Sequence, residues 1–533
     1  MKKSTLATVS LCSCLFLVAC EPNPNNRKTD APAPAGSMSL RALPAGIENG
    51  SGKISLKDFA KVLAVWDEQV QVQTLEVEIA KQKAIGTLGQ FEPVFYADIS
   101  RSGEFTQTSA AEHFSAGTGG NANGADFPFS EFETAAKVGV EVKDTSGISV
   151  NLYYEMGQIA NSLQASANLP NPEHSAALGV TIKAPLAKNA GKAVNTSSTV
   201  VAGIDEDIAQ ETVRLIKTQR AFEGIKTYLF VQRAQQRVYW REQTAKLSAL
   251  LQSELEQKVS QGLIEQSVLT EAAAEVAQRR ASLTLARQEL NEQQSALQIY
   301  FLALDQRAQH ARWTPSEPLR LVSSKTLSRS ALPSLDTVYA RRPESKINAL
   351  RIEREEVLRM VAENQILPEA NLVVDLKKTQ LSGEYIPFRD VFNAKNPYES
   401  WRIGFEYRKG LGGNITEKAE LEAAKLREQQ ADLTMRAYRQ RIASELNGIG
   451  SILDRARENL RYQNEIIAAQ EKLLATEQAN ANSGSSSSID VKRSQINLTI
   501  AKEARADAIA QLNLSSYLAS QVDGTLLARM GIE

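Results

Sequence analysis

The sequence predicts a mostly helical α+β protein in which strand hairpins alternate with very long helical hairpins. Three observations support this fold class. Residues 205–304 and 415–518 contain no proline and are dominated by Ala, Leu, Glu, Gln, Arg and Lys, a strongly helix-forming composition. Short segments elsewhere alternate between apolar and polar residues, as amphipathic strands do. The strand-then-helix order occurs twice, so we predict a first repeat at 53–320 and a second at 321–533.

The N-terminus has the pattern of a secretion signal. Lys2 and Lys3 precede an apolar stretch at 6–18 that is too short to span a membrane. Leu17-Val18-Ala19-Cys20 then resembles the lipobox of bacterial lipoproteins, in which the cysteine becomes the lipidated first residue. We therefore predict a lipoprotein signal peptide at 1–19, and an ordinary signal peptide with a chance cysteine is the alternative.

Residues 20–52 are predicted to be a lipidated cysteine followed by a flexible tether, because the segment is rich in Pro, Asn, Ala and Gly. By the same resemblance, Glu21 after Cys20 favours sorting to the outer membrane. Cys12 and Cys14 leave with the signal, so the mature chain keeps only Cys20. This excludes an internal disulfide, a cysteine metal cluster and a cysteine nucleophile.

Charge and motifs exclude several other classes. The 61 Lys and Arg nearly balance the 62 Asp and Glu, so nothing indicates nucleic acid as a partner. The three histidines are not at metal-ligand spacing, and no phosphate-binding loop or nucleophile motif is visible. We therefore predict a protein that is not an enzyme and that needs no cofactor or metal other than the covalent lipid on Cys20.

Four segments alternate cleanly between an apolar and a polar face. The first places Phe95, Ala97 and Ile99 on one side. Alternation of this length is required of barrel strands with lipid outside and water inside, although a half-buried soluble sheet has the same pattern. In the other three segments, the residues that we predict to face lipid are Leu178, Val180, Ile182, Leu372, Val374, Trp401, Ile403 and Phe405.

Four strands cannot close a wide barrel within one chain. If they span a membrane, they must be combined among subunits. A homotrimer would give twelve strands, the even number that antiparallel closure requires.

The first repeat carries an excess of residues, which we place in the Ser-, Gly- and Asn-rich stretch 103–171. Within it, alternating segments at 137–142 and 148–154 flank Asp144-Thr145-Ser146-Gly147, a good hairpin signal. We interpret this stretch as an extended loop at the outer end of the barrel.

The helical segments have narrow apolar stripes and broad polar faces, as in coiled coils or laterally packed tubes. Glycine breaks them at Gly262 and Gly484, which predicts helices of about 50–60 residues and about 75–90 Å. Shorter helices are predicted at 57–86 and 334–365, ending at Pro93 and Pro368. Long helices alone would also suit a coiled-coil rod, but such a rod needs no strands.

Taken together, these patterns resemble the TolC-like outer-membrane factor family, in its lipoprotein branch. The resemblance spans about 55–531. It is strongest at 177–186, at the helix-to-strand junction 364–368, at 524–526 and at the helix turns 262–269 and 484–491. It implies a trimer whose twelve-stranded barrel continues into a periplasmic helical tunnel. The implied partners are membrane lipid, a periplasmic adaptor and an inner-membrane pump.

The resemblance also implies functional residues at the helix turns. Asp490 lies where family members often place an acid that lines the entrance, and a helix N-terminal cap is an equally good interpretation. Arg493 stands where some members have a second acid, so the entrance is less anionic or Asp490 pairs with Arg493. The residues predicted to contact the adaptor are Gly262, Leu263, Gln266, Ser267, Gly484, Ser485 and Ser488.

The function that follows is a passive export duct in the bacterial outer membrane, lipid-anchored and extending into the periplasm, and gated at the helical tips. The alternative is a non-conducting structural or adhesive envelope lipoprotein with a coiled-coil stalk.

Overall fold

A computed structural model describes residues 52–107, 128–162, 164, 169–301, 312–322, 332–393 and 398–532. The predicted signal peptide, Cys20 and the tether before residue 52 lie outside the described residues.

Two very long helices form the axis of the molecule. Helix α4, Ser197–Ser260, has 64 residues, and α9, Ile415–Asn482, has 68, which correspond to about 96 and 102 Å. Both are longer than predicted, because each continues from the sheet through to the tip. The other helices are α1 Leu56–Trp66, α2 Glu68–Gly86, α3 Lys192–Asn195, α5 Gln266–Gln298, α6 Leu335–Arg341, α7 Pro343–Gln365, α8 Phe388–Phe392, α10 Ser488–Val522 and α11 Leu526–Met530.

Each long helix changes its packing partners along its length. Near the sheet, α4 packs on α2 and α7, and α9 packs on α7. Beyond that point, α4 runs antiparallel to α5 and α9 runs antiparallel to α10, while α10 also packs on α4. The helices therefore form one bundle with two hairpin tips at the end far from the sheet.

The strands form one large and one small sheet. The small parallel sheet pairs β1, Lys53–Ile54, with β6, Thr314–Pro315. The large sheet is antiparallel throughout, in the order β2-β3-β4-β5-β7-β8. Its strands are β2 Val94–Gln107, β3 Pro128–Lys143, β4 Ser149–Asn161, β5 Glu173–Pro185, β7 Glu369–Ser382 and β8 Tyr398–Arg408.

The predicted fold class is confirmed, but the strand count is not. In the part of the chain that the structure describes, the large sheet has six strands rather than four, because the predicted loop hairpin forms β3 and β4, which pair along nearly their whole length. Their turn lies at the helical end of the sheet, where Ser146 accepts a hydrogen bond from the Gly191 amide at 3.0 Å. The prediction of a loop at the outer end is therefore wrong, and a twelve-stranded trimer does not follow from this chain.

Both of the shorter predicted helices are interrupted at one residue. Asp67 separates α1 from α2 in extended geometry, and its carboxylate accepts hydrogen bonds from Gln69 and Val70 as an N-terminal cap. Arg342 separates α6 from α7, because the following Pro343 disfavours helical geometry at the preceding residue.

The main core lies halfway along α4. Phe59, Tyr228, Phe301 and Trp313 are fully buried there, and Phe301 stacks on Trp313 with ring centroids 4.7 Å apart. The Tyr228 hydroxyl donates to the Ile54 carbonyl oxygen at 3.0 Å. This cluster joins the small sheet, α1, α4 and α11, so it holds the chain together between the sheet and the tips.

Candidate channel surfaces and helical tips

All the residues predicted to face lipid lie on one face of the large sheet. The register places Ile182 opposite Val374, which is opposite Ile403, and places Val180 opposite Leu376. Directly paired residues point to the same face. Trp401, Ile403 and Phe405 are more than 60% exposed, so this apolar face is open in the single chain. That the face contacts lipid remains a prediction.

The apolar face forms a band that is tallest on β2 to β5, because its two outer rows carry Lys378, Gln380 and Glu399 on β7 and β8. Its rows run from Leu372 and Phe405 near the helices to Ile99 and Ala176 near the outer end, which is about 27 Å along a strand at 3.4 Å per residue. The next row outward is polar and includes Arg101. With strands tilted by about 40°, this length corresponds to a height of about 21 Å, which is comparable with the apolar band of about 25 Å in membrane barrels.

The opposite face is polar and charged. Arg402 forms an ion pair with Asp375 at 2.7 Å, and Lys183 forms one with Glu406 at 3.1 Å. Such pairs on exposed strands contribute little stability, but they keep this face hydrophilic across β5, β7 and β8.

Two tyrosines on the polar face cover glycines of neighbouring strands. Tyr96 of β2 lies over Gly139 of β3, and Tyr153 of β4 lies over Gly179 of β5. A Cβ atom at Gly139 would approach the Tyr96 Cζ to 2.7 Å, and one at Gly179 would approach the Tyr153 Cζ to 2.4 Å. In this packing, each tyrosine ring occupies the space that a side chain at the glycine of its partner strand would need.

The sheet has two long edges. Strands β2 and β8 each have one paired neighbour, and their outer edges bond no other strand in the described part of the chain. An unpaired edge presents a row of backbone donors and acceptors, which templates pairing with another strand.

The two helical tips use the same turn. After α4, the Gly262 amide donates to Val259 and the Leu263 amide to Lys258, both at 2.9 Å. After α9, the amides of the equivalent Gly484 and Ser485 donate to Ala481 and Asn480. Both glycines have positive φ, 73° and 78°, so each turn is a Schellman motif.

The predicted adaptor-contact residues are exposed at these tips. Leu263 is 66% exposed, and the other residues are exposed as well: Gly262, Gln266, Ser267, Gly484, Ser485 and Ser488. Whether a partner binds them remains a prediction.

Asp490 acts as a helix cap in this structure. It is the third residue of α10 and accepts a hydrogen bond from the Ser487 amide at 3.3 Å, while the Ser487 hydroxyl caps the helix in return. Arg493 is exposed and forms no ion pair with Asp490 or with any other described residue. The equivalent residue of the first tip, Val268, packs in an apolar cluster instead.

The two tips are fastened to each other by polar contacts that the sequence reasoning missed. Lys492 of α10 forms an ion pair with Glu254 of α4. The Lys258 ammonium donates to the Ser487 hydroxyl at 3.1 Å. Only the spacing of charges along the helices signals these pairs, and it does not identify their partners across the bundle.

Ion pairs also fix both helix breaks to the long helices. Arg220 of α4 binds Asp67 at 2.7 Å, and Glu445 of α9 binds Arg342 at 2.6 Å, so the charges are reversed between the halves. Burial alone would raise the pKa of Glu445, but hydrogen bonds from Arg342 and Arg441 hold the pKa below its usual value.

The described residues contain neither a membrane-spanning helix nor a cluster of metal-ligating side chains. No helix among them combines the length and apolar composition needed to cross a lipid bilayer. No cluster of three or more His, Cys, Asp or Glu side chains in the same residues is placed to hold a metal ion.

The fold is that of solved outer-membrane channels. It is similar to the CmeC outer membrane channel of Campylobacter jejuni, with a TM-score of 0.60 and 12% identity over 88% of this chain and 86% of that one. It is similar to the outer-membrane channel OprN, with a TM-score of 0.60 and 14% identity over 88% of this chain and 89% of that one. It is also similar to the open state of the MtrE outer membrane channel of Neisseria gonorrhoeae, with a TM-score of 0.56 and 13% identity over 88% of this chain and 89% of that one. No family model and no curated protein matches the sequence.

Proposed function

We propose that, as a chain with the fold of outer-membrane channels, this protein assembles as a homotrimeric duct of an efflux or secretion system. The observation that carries the proposal is the amphipathic sheet, whose exposed apolar band lies at one end of a polar helical bundle. In lipid every backbone donor and acceptor must be bonded, which open sheet edges do not allow. Pairing of β2 with β8 of the next copy removes both edges.

Three copies of this chain contribute eighteen strands, not twelve. The count stays even and each strand keeps an antiparallel neighbour, as closure requires. The apolar face then contacts lipid and the polar face lines the lumen. Cys20 carries the lipid anchor at the outer membrane.

The helical tips are the entrance and the gate. An adaptor protein contacts the exposed turns at Gly262 and Gly484 and links the duct to an inner-membrane pump. Opening separates the two tips, so it must break the Glu254–Lys492 pair. In three copies, Asp490 lies near the entrance, where a ring of carboxylates favours cations.

Neighbouring residues on opposite faces of β5 provide the test. Ile182→Lys places a charge inside the proposed lipid band, one row from its inner margin, where the cost lies between about 0–1 kcal/mol at the interface and about 2–4 kcal/mol at the bilayer centre, whereas Thr181→Lys places it in the lumen. We expect wild type and Thr181→Lys to purify from membranes in detergent as trimers that conduct ions in planar bilayers. Ile182→Lys should give little assembled protein.

The proposal fails if wild type is a non-conducting monomer that is released without detergent. That result would favour a structural envelope lipoprotein. Equal assembly of the two lysine variants would also contradict the assignment of the faces.

A further inference from the structure

A short helix lies on the apolar face of the large sheet. Helix α8 and the residues just before it belong to the connection from β7 to β8. Ile386 and Val391 of this segment are buried against Tyr154 of β4 and Ala176 of β5. The segment therefore covers part of the face that is otherwise open.

Specific contacts hold this segment in place. The Tyr154 hydroxyl donates to the Ile386 carbonyl oxygen at 2.9 Å, and the Phe388 ring packs edge-on against the Tyr154 ring with centroids 5.2 Å apart. A buried tyrosine hydroxyl on an apolar face needs such a partner. The Tyr154 hydroxyl thus fixes the backbone of the segment to the sheet.

The height of the segment on the sheet matches the boundary of the apolar band. Leu178 and Ala176, which lie beneath it, belong to the two outermost apolar rows. The next row outward contains His174 and Gln158. The segment therefore lies at the outer margin of the band, where hydrocarbon would give way to head groups.

The outward surface of the segment is aromatic. Tyr385 is 65% exposed, Phe388 49% and Phe392 64%, while Arg389 and Asp390 are exposed beside them. Aromatic rings with charged neighbours are enriched at the membrane–water interface.

The position across the sheet disfavours another copy of the chain as the partner of these rings. In the proposed assembly the copies join at the outer edges of β2 and β8, whereas the segment lies over β4 and β5 in the middle of the sheet. Membrane lipid is the partner that reaches this place.

We propose that residues 385–392 anchor the barrel in the outer leaflet of the membrane. Tyr385, Phe388 and Phe392 contact acyl chains near the head-group boundary, and Arg389 contacts anionic head groups. This inference rests on the proposed function, because it needs the apolar face to contact lipid.

Site-specific fluorescence tests the proposal. Phe392→Cys, Ile403→Cys and Ser400→Cys each receive the environment-sensitive label NBD, and the full-length assemblies are reconstituted in vesicles with brominated acyl chains. Ile403 and Ser400 lie on opposite faces of β8. Wild type treated with the label is the blank, because a lipidated Cys20 has no free thiol. Phe388→Cys serves as a second position on α8.

We expect quenching at positions 392, 388 and 403, with blue-shifted emission, and none at 400. Quenching at 403 but not at 392 and 388 would overturn the anchor and leave the proposed function intact. Quenching at none of the positions would contradict the proposed function itself. Disulfide-linked dimers through position 392 would overturn the anchor by identifying a second copy as the partner.

Discussion

Excision of the β3–β4 hairpin should narrow the barrel without destroying it. Deleting residues 108–161 leaves 162–172 to connect the outer end of β2 to the outer end of β5. These two strands remain antiparallel, because two strands are removed together. Their faces also remain matched, since Tyr96, Gly139, Tyr153 and Gly179 are in one row of the register. After excision Tyr96 lies beside Gly179, in the place that Tyr153 now occupies.

The expected change in width follows from strand geometry. With strands about 4.8 Å apart and tilted about 40°, eighteen strands enclose a backbone diameter of about 36 Å and twelve enclose about 24 Å. The cross-section should therefore fall to somewhat under half. The helices are not touched, so helix content and copy number should not change.

Electron microscopy of detergent-purified assemblies measures this width directly. Polymers of graded size, added to the outer side of channels in planar bilayers, provide a second measurement of the exit. A variant that lacks only residues 112–122 has a shorter connection between β2 and β3 but keeps all six strands. It should therefore retain the full barrel width. An excised variant that assembles at the wild-type diameter would refute the reasoning, as would a wild-type barrel of about 24 Å.

Three further predictions concern the helical end. Asp490→Asn keeps an oxygen that can cap α10 but removes the charge, so cation preference, measured by reversal potential, should fall; unchanged selectivity would reject an entrance ring. Lys492→Gln should raise basal conductance, because it removes the ion pair between Lys492 and Glu254 that joins the two tips. The double variant with the charges exchanged, Glu254→Lys with Lys492→Glu, should restore closure. Equal conductance of wild type, the single variant and the double variant would reject a role of this ion pair in closure. Glu445→Gln should lower stability at neutral pH by about 1–2 kcal/mol. Because the pKa of Glu445 is lowered by folding, its contribution is present above the ordinary value of 4.5 and is lost as the pH falls through the folded value. Thermal unfolding should therefore show a smaller acid destabilisation in the variant than in wild type, and parallel pH profiles would contradict the role of Arg342.

The long helices were predictable because strong helix formers dominate both segments and outweigh the few internal glycines, such as Gly224, Gly448 and Gly450. The two breaks at Asp67 and Arg342 were not placed, although Pro343 offered a signal for the second. At Asp67 the helix is interrupted because the side chain caps α2 and forms an ion pair with Arg220. Arg220 is so distant in sequence that no local pattern indicates this contact.

The strands show the limit of periodicity most clearly. The β3–β4 hairpin was recognised from Asp144 to Gly147 and its flanking alternation, but its place in the fold was misjudged. Alternation has the same period in a surface hairpin and in a barrel strand. What decides between them is pairing with β2 and β5, which single-chain patterning does not encode.

The surface helix α8 was beyond prediction for a related reason. Five residues are too few for a periodic signal, and isolated helices of this length are unstable. Its conformation depends on Tyr154, which lies far away in the sequence.

The continuity of α4 has a mechanical consequence. The main core packs around this helix at Tyr228. The helix extends about 48 Å from there towards the sheet and about 48 Å towards the tip. A rigid rod held at its middle carries a sideways displacement of one end to the other with opposite sign and similar size. The sheet end is restrained by α2 and α7, so pulling a tip open loads these contacts as well as the tip itself. In the proposed duct, the force needed to open the tips would therefore depend on the whole bundle, and weakening the packing near the sheet should ease opening at the far end.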